Sequence, residues 1–569
     1  MPSRTDMDQL MAYHLDSDCF DKIRKRRKAA GGLKAGVAAV SDSDMFKAPV
    51  RLASPRVFTW NQKLTDTSQQ ASLWPRIGTV CAILLCYEVA SFSSQETAHF
   101  SRETLSRLPC AIKQASGYLK QPGIISLGGG LPSSEYFPYA EISMRVPKPP
   151  HFSEQHVLSE EAELAQTITI GKYDVQKGLS EYDLSIALNY GQAMGSAQMM
   201  RFITEHTELI YNPPYADWGV CQTVGSTAAL EQTIRMLCDK DRGDAVLTEE
   251  YTFSTALSTI VPLGIKVVGV KIDEQGLLPD DMDRILASWD DSNGVRKPHV
   301  LYTVPSGQNP TGATQGIERR HAIYKVCQKH NIFIIEDEPY YFLQMPPYSG
   351  KAELAEEKPE TVQDFVSGLV PSFISLDIDG RVLRMDSFSK VLIPGSRMGW
   401  VTASKQVIQQ FIRLAEVANQ GPSGLAQIML WKLLDETWGH EGYLEWLMSL
   451  KKNYTRRRNM LLSACDEFLP KDLVNWTPPS AGMFLWLKVD HTKHPEFPQR
   501  SIPEIEQDVF SNALENGVLC ARGSWFRAEP HTAPSQLFFR TTFAAATEDA
   551  MRTAIQRLST AIRQAFRQE

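Results

Sequence analysis

The sequence has no pair of cysteines at the two-residue spacing of a zinc knuckle or a redox dithiol. Its nine cysteines, Cys19, Cys81, Cys86, Cys110, Cys221, Cys238, Cys327, Cys465 and Cys520, are an odd number spread thinly through 569 residues. That pattern argues against a disulfide framework or a cysteine-held metal and for reduced thiols in the cytoplasm. The first twenty residues, MPSRTDMDQLMAYHLDSDCF, carry acids and no apolar stretch, so no secretory signal is expected. A long apolar run is also missing. The most apolar window, Ile77 to Phe92, contains Glu88 and follows Arg76, which suits a buried helix or an inserted segment and not a membrane span. Nor is there an excess of positive charge. Lys and Arg total 59 against 66 Asp and Glu, a net charge of −7, which does not suit a protein built for nucleic acid. The basic run Lys22 to Lys28 reads as a solvated arm. No internal repeat or low-complexity tract occurs. With 43% apolar and 22% charged residues, collagen-like, disordered and coiled-coil classes are excluded.

What the sequence does have is an alternation of strands and helices from about residue 120 onward. Short apolar runs recur at Ala245–Leu247, Ile265–Val270, His299–Thr303, Ile332–Ile335, Val382–Met385 and Trp400–Thr402. Helical spacing separates them, as at Leu230, Ile234 and Leu237. Near-continuous apolar strands between amphipathic helices predict an α/β fold with a mostly parallel sheet covered on both faces. The last segment, Thr547 to Phe566, combines a capping Thr, acids in the first turn and apolar residues at Met551, Ile555, Leu558 and Ile562, and predicts a closing amphipathic helix.

Ligands of such sheets bind at the carboxyl ends of the strands. Those ends carry an unusual set of residues. After Val382–Met385 come Ser387, Ser389 and Lys390, then Arg397 seven positions on; after Ile332–Ile335 come Asp337 and Tyr340; after His299–Thr303 comes Asn309 in Asn-Pro-Thr-Gly; Gly225-Ser226-Thr227 opens the helix of Leu230. Hydroxyls, an arginine and a helix N-terminus together make a dianion site. A lysine beside such a site is placed to condense with an aldehyde on the same ligand, the arrangement of a pyridoxal phosphate enzyme. Asp337 can then pair with a pyridinium nitrogen, Asn309 and Tyr340 can donate to the ring oxygen, and Tyr251 can stack on the ring.

In order along the chain, IISLGGGLPSSEYFP (from Ile124), VGSTAALEQ, PSGQNPTG, IIEDEPYYFLQ, DSFSKVLIPGSRMGW, PSAGMFLW and LFFRTTFA resemble the class I/II, fold-type I pyridoxal phosphate aminotransferases. The branch most resembled holds the fungal aromatic amino acid and the kynurenine/2-aminoadipate enzymes, and the likeness covers about residues 100–569. It implies a large domain with a mostly parallel central sheet plus a smaller α+β domain. It also implies pyridoxal 5′-phosphate as cofactor. Residue by residue, Lys390 takes the cofactor's aldehyde and Asp337 its ring nitrogen. Asn309 and Tyr340 take the ring oxygen, and Tyr251 the ring face. Ser226, Thr227, Ser387, Ser389 and Arg397 take the phosphate. Tyr190, in ALNYGQAMG, matches a tyrosine that reaches the phosphate of the neighbouring subunit, which implies a homodimer with shared active sites. Arg540 matches the clamp on the substrate carboxylate, and Gly130 permits close backbone approach. Lys113 stands where relatives often carry an arginine.

The expected reaction moves an amino group between an L-amino acid, aromatic by family, and a 2-oxo acid, with ping-pong kinetics. A lyase or decarboxylase on the same cofactor is the alternative, and an aminotransferase-like ligand-sensing regulator a third. The expected organisation is an arm and atypical insert over 1–98, partly disordered, and a segment over 99–150 joining the small domain. The large cofactor-binding domain then runs over 151–440 and the small domain over 441–569. A cytoplasmic enzyme without a metal, a nucleic-acid partner or a membrane partner is expected.

Overall fold

The computed structural model describes residues 98–111, 118, 121–125, 127–351 and 360–568. The basic run Lys22–Lys28, the apolar window Ile77–Phe92 and Lys113 lie outside the described residues.

The first strands, β1 (Glu141–Pro147) and β2 (Ala165–Gly171), pair as an antiparallel hairpin. Next come β3 (Trp218–Thr223), β4 (Ala245–Glu249) and β5 (Lys266–Val270), then a two-residue ladder of β6 (Ile272–Asp273) and β7 (Gly276–Leu277). The series continues with β8 (Val300–Thr303), β9 (Phe333–Asp337), β10 (Val382–Ser387) and β11 (Gly399–Ser404). A central seven-stranded sheet takes the order β3-β11-β10-β9-β8-β4-β5. Each apolar run read from the sequence forms one of its strands. β4, β8, β9, β10 and β11 are buried along their whole lengths, because helices cover both faces of the sheet.

One strand departs from the parallel pattern. β11 is antiparallel to both its neighbours, β10 and β3. Only residues 388–398 join β10 to β11, too few for the crossover that a parallel neighbour needs. That reversal matters for the site, since the start of β11 falls beside the ends of β10 and β3.

The helix Gly225–Leu237 buries Leu230, Ile234 and Leu237 as its periodicity predicts. The closing helix Glu548–Ala565 is capped by Thr547, whose hydroxyl accepts from the Ala550 N–H, and buries Met551, Ile555, Leu558 and Ile562. It packs against the helices Gly439–Phe468 and Ile502–Glu515. These helices flank a second, antiparallel sheet of β12 (Val474–Trp476), β13 (Phe484–Val489), β14 (Ala521–Arg522) and β15 (Leu537–Thr542), in the order β12-β13-β15-β14. Among the described residues no helix is long and apolar enough to cross a membrane.

Two details differ from the expected organisation. The start of the segment expected to join the small domain, residues 99–107, makes hydrogen bonds and an ion pair with residues 236–242. The Ser101 N–H donates to the Met236 carbonyl, Arg102 pairs with Asp239, and Arg242 donates to the Phe100 carbonyl. The β1–β2 hairpin also pairs residues on both sides of position 150. In each case backbone and ion-pair partners supplied by residues distant in sequence override the local reading.

The two sheets meet through loops of unusually close approach. Gly307 has φ +57°, and a Cβ there would stand 2.5 Å from the Gly482 Cα and nitrogen; Gly482 itself has φ +79°. Only glycine meets both the left-handed backbone and the contact distance. Gly307→Ala is therefore expected to cost about 1–3 kcal/mol through combined strain and overpacking. Gly294, at φ +76° with nothing within 4 Å of a Cβ, is the control: Gly294→Ala carries the backbone strain alone. Urea denaturation midpoints should show Gly307→Ala as the more destabilised of the two.

Candidate active site

The carboxyl edge of the central sheet collects the residues singled out from the sequence. β3 leads into Gly225-Ser226-Thr227, β4 into Tyr251, β8 into the loop of Asn309, β9 ends at Asp337, and β10 leads through Ser387 to Lys390. Gly399 pairs with Ser387 on one side and Thr223 on the other, so Arg397, two residues earlier, reaches the same edge.

An anion cradle is built there from donors. The Ser387 hydroxyl donates to Ser389 Oγ at 2.8 Å while accepting from the Ser389 N–H at 3.1 Å. Arg397, in the left-handed region at φ +50°, donates from Nη1 to the Pro394 carbonyl at 2.9 Å and to Ser389 Oγ at 3.4 Å. Its Nη2 would lie 2.6 Å from a Cβ at Gly225, so the guanidinium sits against the first residue of the helix. That helix has no side-chain cap, and Ser226 Oγ is buried without a partner. Thr227 is exposed in its first turn. Unpaired N–H groups, the positive end of the helix, two serines and an arginine together suit a phosphate dianion.

Asp337 is buried at the end of β9. Tyr302, fully buried on β8, donates its hydroxyl to Oδ2 at 2.8 Å, whereas Oδ1 is buried without a partner among the described residues. Loss of water pushes the Asp337 carboxyl up to about 7, against the lowering effect of the Tyr302 hydrogen bond. A buried carboxylate oxygen with no donor is costly, and a ring cation is a group that would satisfy it. With Ser226 Oγ, this orphaned oxygen is the observation that fits the side chains to pyridoxal phosphate.

A further part of the edge is formed where the two sheets meet. Arg540, on β15, donates to Asn309 Oδ1 at 2.6 Å. Its guanidinium lies 4.3 Å from the Phe484 ring centroid and 4.7 Å from that of Phe526. Partial burial holds the guanidinium below its ordinary range. Tyr340 is buried edge-on to Phe484, and burial, then the charge of Asp337, raises its phenol. Tyr251 meets Trp486 and Phe538 edge-on at 5.5 and 5.3 Å, and burial pushes its phenol up to about 12. Lys390 is exposed, yet partial loss of water, then the charges of Arg397 and Arg540, hold its ammonium below the ordinary lysine range. A more readily deprotonated amine is the form that attacks an aldehyde.

Gly130 and Tyr190 are not joined to this cluster by any contact within the chain. Both are exposed, Tyr190 at 68%, and nothing lies within 4 Å of a Cβ at Gly130. Among other aromatic residues in these segments, Tyr341 is a core residue against the Arg384 guanidinium, Phe253 is half-buried and Tyr136 exposed. Sequence reasoning missed Tyr302, which stands inside an apolar strand. It also missed the buried layer behind Asp337, in which Arg384 forks onto Asp386 at 2.8 Å from both Nε and Nη2, and Asp386 accepts from Tyr211. Alternating charged residues in Glu336, Glu338, Arg384 and Asp386 were the available signal.

The family described as "Aminotransferase class I and II" matches residues 185–558. An aromatic amino acid aminotransferase of Schizosaccharomyces pombe is 44% identical over 476 residues, covering 82% of this chain and 98% of that protein. A mitochondrial kynurenine/alpha-aminoadipate aminotransferase of Bos taurus is 31% identical, covering 81% of this chain and 97% of its own. Among solved structures, the crystal structure of aminotransferase Aro8 from Candida albicans superposes with a TM-score of 0.77 at 39% identity, covering 83% of this chain and 98% of that one.

The pH dependence of stability tests the environment of Asp337. Its native carboxyl, near 7, keeps its proton to higher pH than the unfolded carboxyl near ~4. The native state therefore binds more protons between those values, and stability must fall as pH rises through them. In the cofactor-free protein, the stability of wild type relative to Asp337→Asn should decline from about pH 4 to about pH 7 and level off above, as read by urea denaturation.

Proposed function

The chain belongs to the class I and II aminotransferases, and on that premise we propose how its own residues carry out transamination. It is a pyridoxal phosphate-dependent transaminase. When bound, the cofactor supplies an aldehyde that condenses with amines and a protonated ring that accepts the electron pair of a broken Cα–H bond. Ser226, Ser387, Ser389, Arg397 and the N–H groups at Gly225–Thr227 hold its phosphate. Asp337 holds the charged ring nitrogen, Asn309 and Tyr340 the ring oxygen, and Tyr251 the ring face.

Arg540 binds the α-carboxylate of the amino acid through its planar fork. Asn309 and the two phenylalanines keep that fork from rotating, so the carboxylate fixes which Cα bond stands toward Lys390. With the cofactor bound, Lys390 Nζ, held below its ordinary pKa, would take the proton from the substrate Cα as general base and would give that proton back as general acid. Water would supply the oxygen of the departing 2-oxo acid while the amino group stays with the cofactor, and a second 2-oxo acid would take up that group as the same residues act in reverse. The observation that carries this reading is the meeting, at one sheet edge, of a lysine below its ordinary pKa, a buried carboxylate with a free oxygen, and a cluster of phosphate donors.

An aromatic donor is supported by the names of the relatives and by the rings around Arg540, with kynurenine and 2-aminoadipate as further candidates. A homodimer with shared sites is supported by the exposure of Gly130, Tyr190, Ile125 and Leu127, the last at 96%. A cavity of about 700 Å³ beside Tyr190, between residues 182–198 and 417–427, supports it too. The smaller domain is taken as 441–569 and the large one as preceding it. Free thiols at Cys221, Cys238, Cys327, Cys465 and Cys520 support a reducing, cytoplasmic setting.

Lys390→Ala should remove both the visible absorbance of bound cofactor and transamination, assayed with a panel of aromatic, acidic and aliphatic donors. Arg540→Lys should raise KM for the amino acid by roughly 10–100-fold, because one ammonium cannot replace two charge-assisted hydrogen bonds. Steady-state kinetics with the best donor of the panel measure it.

A further inference from the structure

Asp337 needs more than a place on β9; its two oxygens must be told apart. In this chain the distinction is made by one hydroxyl. Tyr302 and Asp337 lie at the ends of the adjacent parallel strands β8 and β9, where Tyr302 is in register with Ile335. The tyrosine is fully buried, and its hydroxyl donates to Oδ2 at 2.8 Å while Oδ1 has no partner. Other charged groups face the pair from neighbouring elements: Glu249 from β4, Arg384 and Asp386 from β10, and the Tyr340 phenol from the turn after β9. None of these is the group that hydrogen-bonds Oδ2.

We propose that Tyr302 is a positioning residue for cofactor binding: its hydroxyl ties down one oxygen of Asp337 and keeps the other charged and free for the pyridine nitrogen. This rests on the pyridoxal phosphate reading of the site. The physical reason is that a donor to a carboxylate favours its charged form, and a buried tyrosine has no water with which to share that donor. Burial, then the charge of Asp337, keeps the Tyr302 phenol protonated, so it remains a donor across the working pH range. The Tyr302 hydroxyl is committed to Asp337, whereas Arg540 is held by Asn309, so the effect of that hydroxyl belongs to cofactor hold and turnover and not to amino acid binding.

Tyr302→Phe removes the hydroxyl and keeps the ring. The dissociation constant of pyridoxal 5′-phosphate, measured by equilibrium titration of the cofactor-stripped protein, should rise about tenfold, the range of a lost hydrogen bond to a charged group. kcat should fall while KM for the amino acid stays within twofold. The pH below which cofactor affinity weakens should move upward, since Asp337 then protonates more readily. In an Asp337→Asn background, Tyr302→Phe should change cofactor affinity by less than twofold, because the pair acts as one unit. A residue that only packs would weaken binding equally in both backgrounds, and that result overturns the assignment, as does a Y302F protein with wild-type affinity and pH midpoint. 3-Fluorotyrosine introduced at position 302, a stronger donor of nearly the same shape, guards against a variant that fails to fold. It should shift the pH midpoint downward, and an unmoved midpoint also overturns the assignment. A wild-type protein that takes up no pyridoxal 5′-phosphate overturns the functional reading itself, together with this one.

Discussion

A carboxylate taken out of water with one oxygen unpaired is the constraint around which this structure is organised. Burying such a charge is unfavourable by several kcal/mol unless something meets it. Asp337 is held in that condition by the end of β9, with Tyr302 on one oxygen and a fully buried charged layer behind it. The groups that make the cost worth bearing lie along the same edge: donors for an anion at one end, a lysine near the middle and an arginine toward the second sheet. A heterocyclic cation carrying a phosphate and an aldehyde suits Asp337, the anion donors and the lysine at once, and leaves the arginine for a second ligand.

The second sheet brings the Arg540 guanidinium to that edge, the group proposed to meet the substrate's carboxylate. Gly307 and Gly482 let the loops before Asn309 and before β13 approach closely enough that the Arg540 fork reaches Asn309. Phe484 and Phe526 then lie against the guanidinium. Asn309 therefore links the residues assigned to the ring oxygen and to the substrate. The antiparallel turn from β10 into β11 has a comparable role, since it returns Arg397 to the cradle from which the chain has just departed.

Much of this was legible in the sequence because strands buried on both faces read as unbroken apolar runs, and β4, β5, β8, β9, β10 and β11 each had one. β3 was not read. Its segment WGVCQT mixes Gly and Gln into the run, and only its pairing with β11 identifies it as a strand. The direction of β11 was equally hidden, because strand direction follows from connection length and neighbours rather than from composition. Lys390, Asp337, Asn309 and Arg397 stood out because charged and polar residues at strand ends break a local pattern. Tyr302 broke none: a tyrosine within an apolar strand looks like core, and only the neighbouring strand shows what its hydroxyl meets. Gly130 and Tyr190 were drawn from family likeness, and the chain's own contacts leave them exposed. The contacts of residues 99–107 were hidden for a third reason, since the hydrogen bond to Met236 and the ion pair to Asp239 lie more than 130 residues away in sequence.

On the proposed function one side chain, Lys390, carries the covalent bond to the cofactor at the edge where Asp337 lies. Borohydride reduction of the purified holoenzyme makes that bond permanent, and peptide mass mapping then locates it. A single phosphopyridoxyl mass increment is expected on the peptide containing Ser389 and Lys390. An increment on another lysine, or none at all in protein that turns over substrate, would contradict it.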